Sequence, residues 1–395
     1  MITNLNRIKN NNIIFINQRL HLLDNISNDF KNFLCVRDMV PGVHDIRARI
    51  GTFNNPWGAT VKPWYAPPPF EFINDTLSDL FDARAIELIN VAKQKNKQLV
   101  INWSGGIDST SVLISFLKNT TPADQKLITV CCNTTSIKEY LNFYLKFISP
   151  NNNIQIKTSN TLVVSKEYLD KNIIIHGDPG DCIFGPSQFA YRYFSDNKQH
   201  LESWKKHSKK IIELLENSLK IKGHKNIDAG KWWFNIVTRT LEESGQSDYI
   251  SSVSDLWWWT YYNFKWSFSC QRLLFFGLSN TDNIGLPIEY QQESADYTYF
   301  NTKKFQQWSY SNLKKLIGIT VSKSIKAEAK KYIYEFTKDY EYVQTKVKTA
   351  SAFPTILKKM RTSIYGYDEN YLPIYHDWRA TAILQSIVKK WREKR

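Results

Sequence analysis

The segment from Leu99 to Lys118 constrains the fold more than any other part of this chain. Leu99-Val100-Ile101-Asn102-Trp103 is a short apolar run of strand type, Ser104-Gly105-Gly106 is a glycine turn, and Ser109–Lys118 has helical spacing with Val112, Leu113 and Phe116 on its apolar side. A buried strand that turns through two glycines straight into a helix is half of a βαβ unit. It predicts a parallel sheet covered by helices. The following residues repeat the pattern: a strand over Leu127–Cys132, a helix over Ile137–Phe147, then a strand over Asn172–His176 that runs into a second glycine turn. Upstream, Thr76 with Asp79 three residues on reads as a capping box, and Leu77, Leu80, Phe81, Ile86 and Ile89 form one apolar stripe. The Pro-rich stretch from Lys62 to Pro69 reads as an extended connector.

Beyond about Ser187 the periodicity is helical and Trp and Lys become frequent. The expected organisation is an N-terminal extension over 1–75, an α/β core over 76–200, and a mainly helical, basic region over 201–395. Apolar residues at 42% exclude a largely disordered chain. The longest apolar runs, such as Leu273–Leu278, fall far short of the roughly 20 residues that span a bilayer. The first residues lack a basic segment followed by an apolar one, so no signal peptide is expected. Five cysteines without a CxxC pair fit neither a disulfide framework nor a zinc site. A cytoplasmic protein without membrane partners is the expectation, and the Asn-, Lys- and Ile-rich composition suits an AT-rich genome, a viral one included.

The formal charge is +15, and residues 301–395 carry 20 Lys/Arg against 8 Asp/Glu. Such a region attracts phosphates, of nucleotides or of nucleic acid. The lysines are spaced along helices rather than fused into an arm, which suits solvated faces better than a nucleic-acid surface. Tryptophans and tyrosines at 232–233, 257–259, 261–262 and 266 are numerous enough to stack bases. Consecutive tryptophans on one helix face different sides, however, so packing, between two domains, is expected.

Ser104-Gly105-Gly106-Ile107-Asp108-Ser109-Thr110 holds the candidate chemistry. Its position between a parallel strand and a helix is where such sheets present a ligand crevice. The glycines let the backbone approach an anion, the helix N-terminus favours negative charge, and Ser104, Ser109 and Thr110 add hydroxyls. Neither a Walker A loop nor a dinucleotide fingerprint is present. A carboxylate, Asp108, beside phosphates requires a cation between them, which points to Mg²⁺.

Ser-Gly-Gly-x-Asp-Ser resembles the PP-loop of the ATP pyrophosphatases that split ATP into AMP and pyrophosphate. His176-Gly177-Asp178-Pro179-Gly180-Asp181-Cys182-Ile183-Phe184-Gly185 narrows the resemblance to the asparagine synthetase family, whose motif is Gly-Glu-Gly-(Ala/Ser)-Asp-Glu-x-Phe-Gly-Gly. Gly177, Asp181, Phe184 and Gly185 match; Asp178 replaces a glutamate; Pro179, Gly180, Cys182 and Pro186 depart. The resemblance implies a PP-loop fold and ATP with Mg²⁺ as cofactors. Trp103, Ser104, Gly105, Gly106, Asp108, Ser109, Thr110 and Gly177 would bind the nucleotide, Asp108 and Asp181 the metal, and Asp178 would be catalytic.

Further on the likeness is looser. Asp255-Leu256, Lys265, Trp266, Ser267 and Arg272 are similar to a helical region lining the second substrate's site, and Tyr299-Phe300-Asn301 stands where the family has Pro-Phe-Leu-Asp. Ser322 opens an amphipathic helix with Ile325, Ala329, Ile333 and Phe336. After it, Thr345-Lys346-Val347-Lys348 with Phe353 resembles the segment whose lysine reaches the active site; Lys348 is the better match and Lys346 the reserve. The activity implied is an AMP-forming carbon–nitrogen ligase, which adenylates a carboxylate or amide oxygen of a small molecule or peptide before an amine or ammonia attacks. With Ile2 in place of a nucleophilic cysteine, and roughly 95 residues before the first strand, no glutaminase is expected, so the nitrogen would come from a separate donor or from the substrate. Adenylation of a nucleobase in tRNA, or a degenerate relative that only binds, are the alternatives.

Overall fold

A computed structural model describes residues 66–158, 166–184, 196–221, 223–224, 228–266, 269–270, 293, 296–318 and 326–346, the backbone of 363–367 and 373–377, and 32, 35–36, 39–40 and 48–51 near the N-terminus. The chain forms two compact units. One combines residues 68–191 with 269–352, the other residues 1–67, 192–268 and 353–395. This interleaving differs from the linear division into 1–75, 76–200 and 201–395, because residues 269–352 group with the sheet.

The sheet unit begins with α1 (Leu77–Gln94), capped as the sequence predicts: Thr76 Oγ1 accepts from the Asp79 amide, and the Asp79 side chain accepts from the Thr76 amide. β1 (Gln98–Asn102) is buried along Leu99, Val100 and Ile101, as a continuous apolar run requires of a central parallel strand. α2 spans Ile107–Asn119 and starts two residues earlier than expected, which places Asp108 in its first turn. β2 (Ile128–Cys132) follows.

The helix expected over Ile137–Phe147 is not continuous. α3 (Thr134–Glu139) starts earlier, on an Asn133 cap, and ends at Tyr140, whose φ −146° and ψ 70° interrupt the helix before a short turn and a π-helical segment at Tyr144–Ile148. β3 (Gln155–Thr158) is a strand that the sequence pattern misses. All four of its residues are exposed, so no apolar signal marks it. β4 (Asn172–His176) occupies the expected residues and leads into the single-turn α4 (Gly180–Ile183).

The four strands are parallel in the order β3-β2-β1-β4, with Asn102 level with His176. The chain moves outward from β1 through β2 to β3, then places β4 on the other side of β1. The crevice above the C-terminal ends of β1 and β4 is therefore the switch point at which open α/β sheets bind ligands. The fold class is α/β.

α5 (Lys303–Ser311), α6 (Ala327–Thr337) and α7 (Tyr340–Thr345) also belong to this unit. Phe81 sits at the centre of its aromatic core. It stacks on Tyr332 of α6 at 4.7 Å and meets Tyr299, Phe300 and Phe305 within 6 Å. The Tyr299 hydroxyl donates to the Phe81 carbonyl at 2.7 Å, so Tyr299-Phe300 is core structure in this chain.

The second unit contains helices at Ser208–Ile221, Ala229–Glu243 and Val253–Phe264, and a backbone hairpin pairing Ser363–Tyr367 with Pro373–Asp377. Asp255 forms a capping box with Ser252 there. Trp233, Trp257–Trp259, Tyr261, Tyr262 and Trp266 are buried, and the Arg49 guanidinium lies 4.6 and 4.5 Å from the Tyr262 and Trp266 rings. The ring pairs Trp233–Phe264, Trp258–Tyr262 and Tyr262–Trp266 all lie inside this unit. Ser267 and Arg272 lie outside the described residues. Among those described, no helix is long and apolar enough to cross a membrane.

Candidate active site

The loop after β1 is held by its own hydroxyls. Ser109 Oγ accepts from the Ser104 amide at 3.0 Å, lies 2.9 Å from Ser104 Oγ and donates to the Gly106 carbonyl. Trp103 and Thr110 are almost wholly buried, and the indole N–H donates to Thr110 Oγ1 at 3.0 Å. These two side chains face into the fold and brace the loop from behind, whereas Ser104 is exposed at its tip. Gly106 precedes α2 without any side-chain cap, so this 13-residue helix begins at the crevice with its N-terminal dipole uncapped.

Gly105 has φ +72°, and a Cβ there would lie 2.4 Å from the Ser136 carbonyl oxygen and 2.9 Å from Glu139 Cβ. Gly105→Ala is expected to lower the urea midpoint by an amount equivalent to about 1–3 kcal/mol, from backbone strain before any loop displacement. Gly106→Ala, whose Cβ meets nothing nearer than Ser104 Oγ at 3.3 Å, should be mild. Equal effects of the two would contradict this account of the turn.

The two glycine loops are in direct contact. A Cβ on Gly177 would lie 2.7 Å from the Ser109 amide nitrogen and 3.0 Å from Asp108 Cβ, so only glycine lets the β4 loop close on the start of α2. That approach brings Asp108 and Asp181 to one point. Both carboxylate oxygens of Asp108 and one of Asp181 accept from the same ammonium, Lys326 Nζ, at 2.5 Å each. Asp178 sits beside them, its amide donating to His176 Nδ1 at 3.3 Å. Burial raises the Asp108 pKa; Lys326 opposes this and the neighbouring Asp181 and Asp178 charges reinforce it, leaving the carboxyl at about 6. Burial acts to lower the Lys326 pKa, but Asp108 and Asp181 outweigh it and hold the ammonium above the usual lysine range. Among the described residues, no three His, Cys, Asp or Glu side chains gather where they could hold a metal by themselves.

Lys326 is the residue that sequence reasoning missed. The amphipathic helix expected from Ser322 is present as α6, but from Ala327; Ser322 and Ile325 lie outside the described residues. Lys326 precedes it in the left-handed conformation, at φ +61° and ψ 38°. Nothing local separates it from the other lysines of this basic stretch, and only the tertiary fold brings it to the carboxylates.

Lys348 lies outside the described residues, as does Gly185. The reserve candidate, Lys346, lies within the described residues. Its ammonium donates to Glu139 Oε1 at 2.7 Å, with each side chain only 6% exposed, and Glu139 borders both loop glycines. Tyr342 adds a further tie, its hydroxyl donating to the Gly105 carbonyl at 3.1 Å while its ring stacks on Tyr140 at 3.6 Å. In comparisons with known proteins, no family model, no curated protein and no solved structure matches this chain.

Proposed function

We propose that this crevice binds ATP and cleaves it between the α- and β-phosphates in an AMP-forming amide ligation of the asparagine synthetase type, on a PP-loop fold. The reading rests on one observation above all: carboxylates from two glycine loops, at the ends of adjacent parallel strands, converge on a single cation beside an uncapped helix N-terminus. The donor set suits Mg²⁺, because two aspartates already share one positive charge and Mg²⁺ takes one or two carboxylates together with phosphate oxygens. Asp108 and Asp181 would hold the ion, which would neutralise charge on the departing pyrophosphate.

The chain's own groups account for the rest. The exposed Ser104 hydroxyl and the amides opening α2 bind phosphate oxygens, and the left-handed Gly105 lets the backbone approach them. Lys346, paired with the Glu139 that borders the glycine turn, is the described candidate for stabilising charge that develops on an α-phosphate; Lys348 is the alternative from the sequence. The acyl substrate is a small molecule or peptide carrying a carboxylate, and the nucleophile an amine or ammonia.

Exchange of radiolabelled pyrophosphate into ATP, screened against amino acids, peptides and tRNA with Mg²⁺ present, tests this reading. Exchange that depends on a carboxylate-bearing small molecule or peptide is expected. Exchange driven by tRNA alone would favour nucleobase adenylation, and none with any acceptor would favour a protein that only binds.

A further inference from the structure

Lys326 makes the carboxylate pair more than a pair. We infer that its ammonium is a tethered cation occupying the position where Asp108 and Asp181 would hold a divalent ion, so that lysine and metal exclude one another and metal binding frees Lys326 and the first turn of α6. The inference rests on the reading of those aspartates as metal-holding groups.

Geometry leaves little alternative to exclusion. Lys326 Nζ lies 2.5 Å from Asp108 Oδ1, Asp108 Oδ2 and Asp181 Oδ1, so the Asp181 oxygen is at most about 5 Å from either oxygen of Asp108. A Mg²⁺ ion bonded to both carboxylates at about 2.0–2.1 Å would draw those oxygens together at the place the nitrogen now fills. Leaving the ammonium beside it would set three positive charges against two carboxylates at contact distance. The Phe184 ring, 5.7 Å from Nζ, can offer the ammonium a cation–π contact but no charge.

The backbone supports the same view. A lysine at φ +61° is in a conformation that costs roughly 1–2 kcal/mol for a residue with a Cβ. Its side chain is fixed at the far end by the two aspartates, so removing that tie leaves only the Phe184 ring contact on this side chain to offset the cost. The segment from Lys326 to Lys346 is staked to the crevice at three points: Lys326 on the aspartates, Tyr342 on the Gly105 carbonyl and Lys346 on Glu139. A metal arriving at Asp108 and Asp181 would release the first of these stakes and leave the other two.

Titration of the full chain with Mn²⁺, followed by electron paramagnetic resonance without nucleotide, tests the exclusion. Lys326→Met should bind Mn²⁺ more than tenfold tighter than wild type. Even if the displaced ammonium stopped about 4 Å from the divalent ion, its removal would be worth that at the dielectric constant of water. Lys326→Arg, which keeps the charge, should bind about as weakly as wild type, and the double variant Lys326→Met/Asp108→Asn should lose the gain. Equal or weaker binding by Lys326→Met, or a gain that survives in the double variant, would overturn the inference. If neither wild type nor Lys326→Met binds Mn²⁺, the metal reading of the aspartates falls with it. Should Lys326→Met fail to fold, hydrogen exchange decides on wild type alone: amides over 326–330 should exchange faster when Mn²⁺ is added, and unchanged exchange at saturating metal contradicts the release.

Discussion

Asp108→Asn and Asp181→Asn are each expected to lower kcat for ATP-dependent ligation by on the order of 10²–10³ or more, with little change in thermal stability. Each change removes one of two groups proposed to hold the metal against the leaving pyrophosphate, a contribution of several kcal/mol to transition-state stabilisation. Stability should survive, because the remaining aspartate still neutralises Lys326. For Asp108 there is a further reason. Burial raises its pKa, so the folded chain holds the charged carboxylate at a cost that asparagine does not carry. The two variants should therefore melt close to wild type while turnover disappears. A steady-state assay beside a melting curve checks both halves. Retention of wild-type kcat in either variant would remove that residue from the site.

The second large effect is expected at Lys346, and it is on stability. In the sequence Lys346 is only the reserve for the lysine that would reach the active site. In the fold Lys346 is instead the C-terminal cap residue of α7, and its ammonium is paired with Glu139 out of solvent. Lys346→Met should cost about 3–5 kcal/mol, because it strands a buried carboxylate next to the glycine turn. Adding Glu139→Gln to it should recover most of that loss, since replacing both partners leaves no uncompensated charge. Denaturant unfolding of the two singles and the double measures the coupling. A cost under 1 kcal/mol for Lys346→Met would show that the pair is not held as described. Lys346→Arg, which keeps charge but not shape, should retain much more stability than Lys346→Met.

The readable and unreadable parts of this chain follow from the range of the interactions involved. Local signals were legible: the Thr76–Asp79 capping box, the apolar run of β1, the span of β4 and the two glycine turns all lie within a few residues of the groups that cause them. β3 left no trace because an exposed strand, formed only by pairing with β2, needs no apolar face. The break at Tyr140 was hidden because Tyr140 and Leu141 fit a helical stripe, while the stacking of Tyr140 on Tyr342 joins residues far apart in sequence. At the candidate site, Asp108 and Asp181 could be nominated from their loops. Lys326 could not, since its ties run across 218 and 145 positions of chain. Trp103 and Thr110 are nucleotide-binding candidates by their place in the motif, while their burial and mutual hydrogen bond depend on side chains the motif does not describe.

Phosphorus NMR of ATP consumed by the full-length chain, with Mg²⁺ and the acyl substrate that supports pyrophosphate exchange, tests the central claim most directly. The account predicts AMP and pyrophosphate in equal amounts, formed far more slowly when Asp108→Asn replaces wild type. ADP and orthophosphate as the stoichiometric products would contradict it.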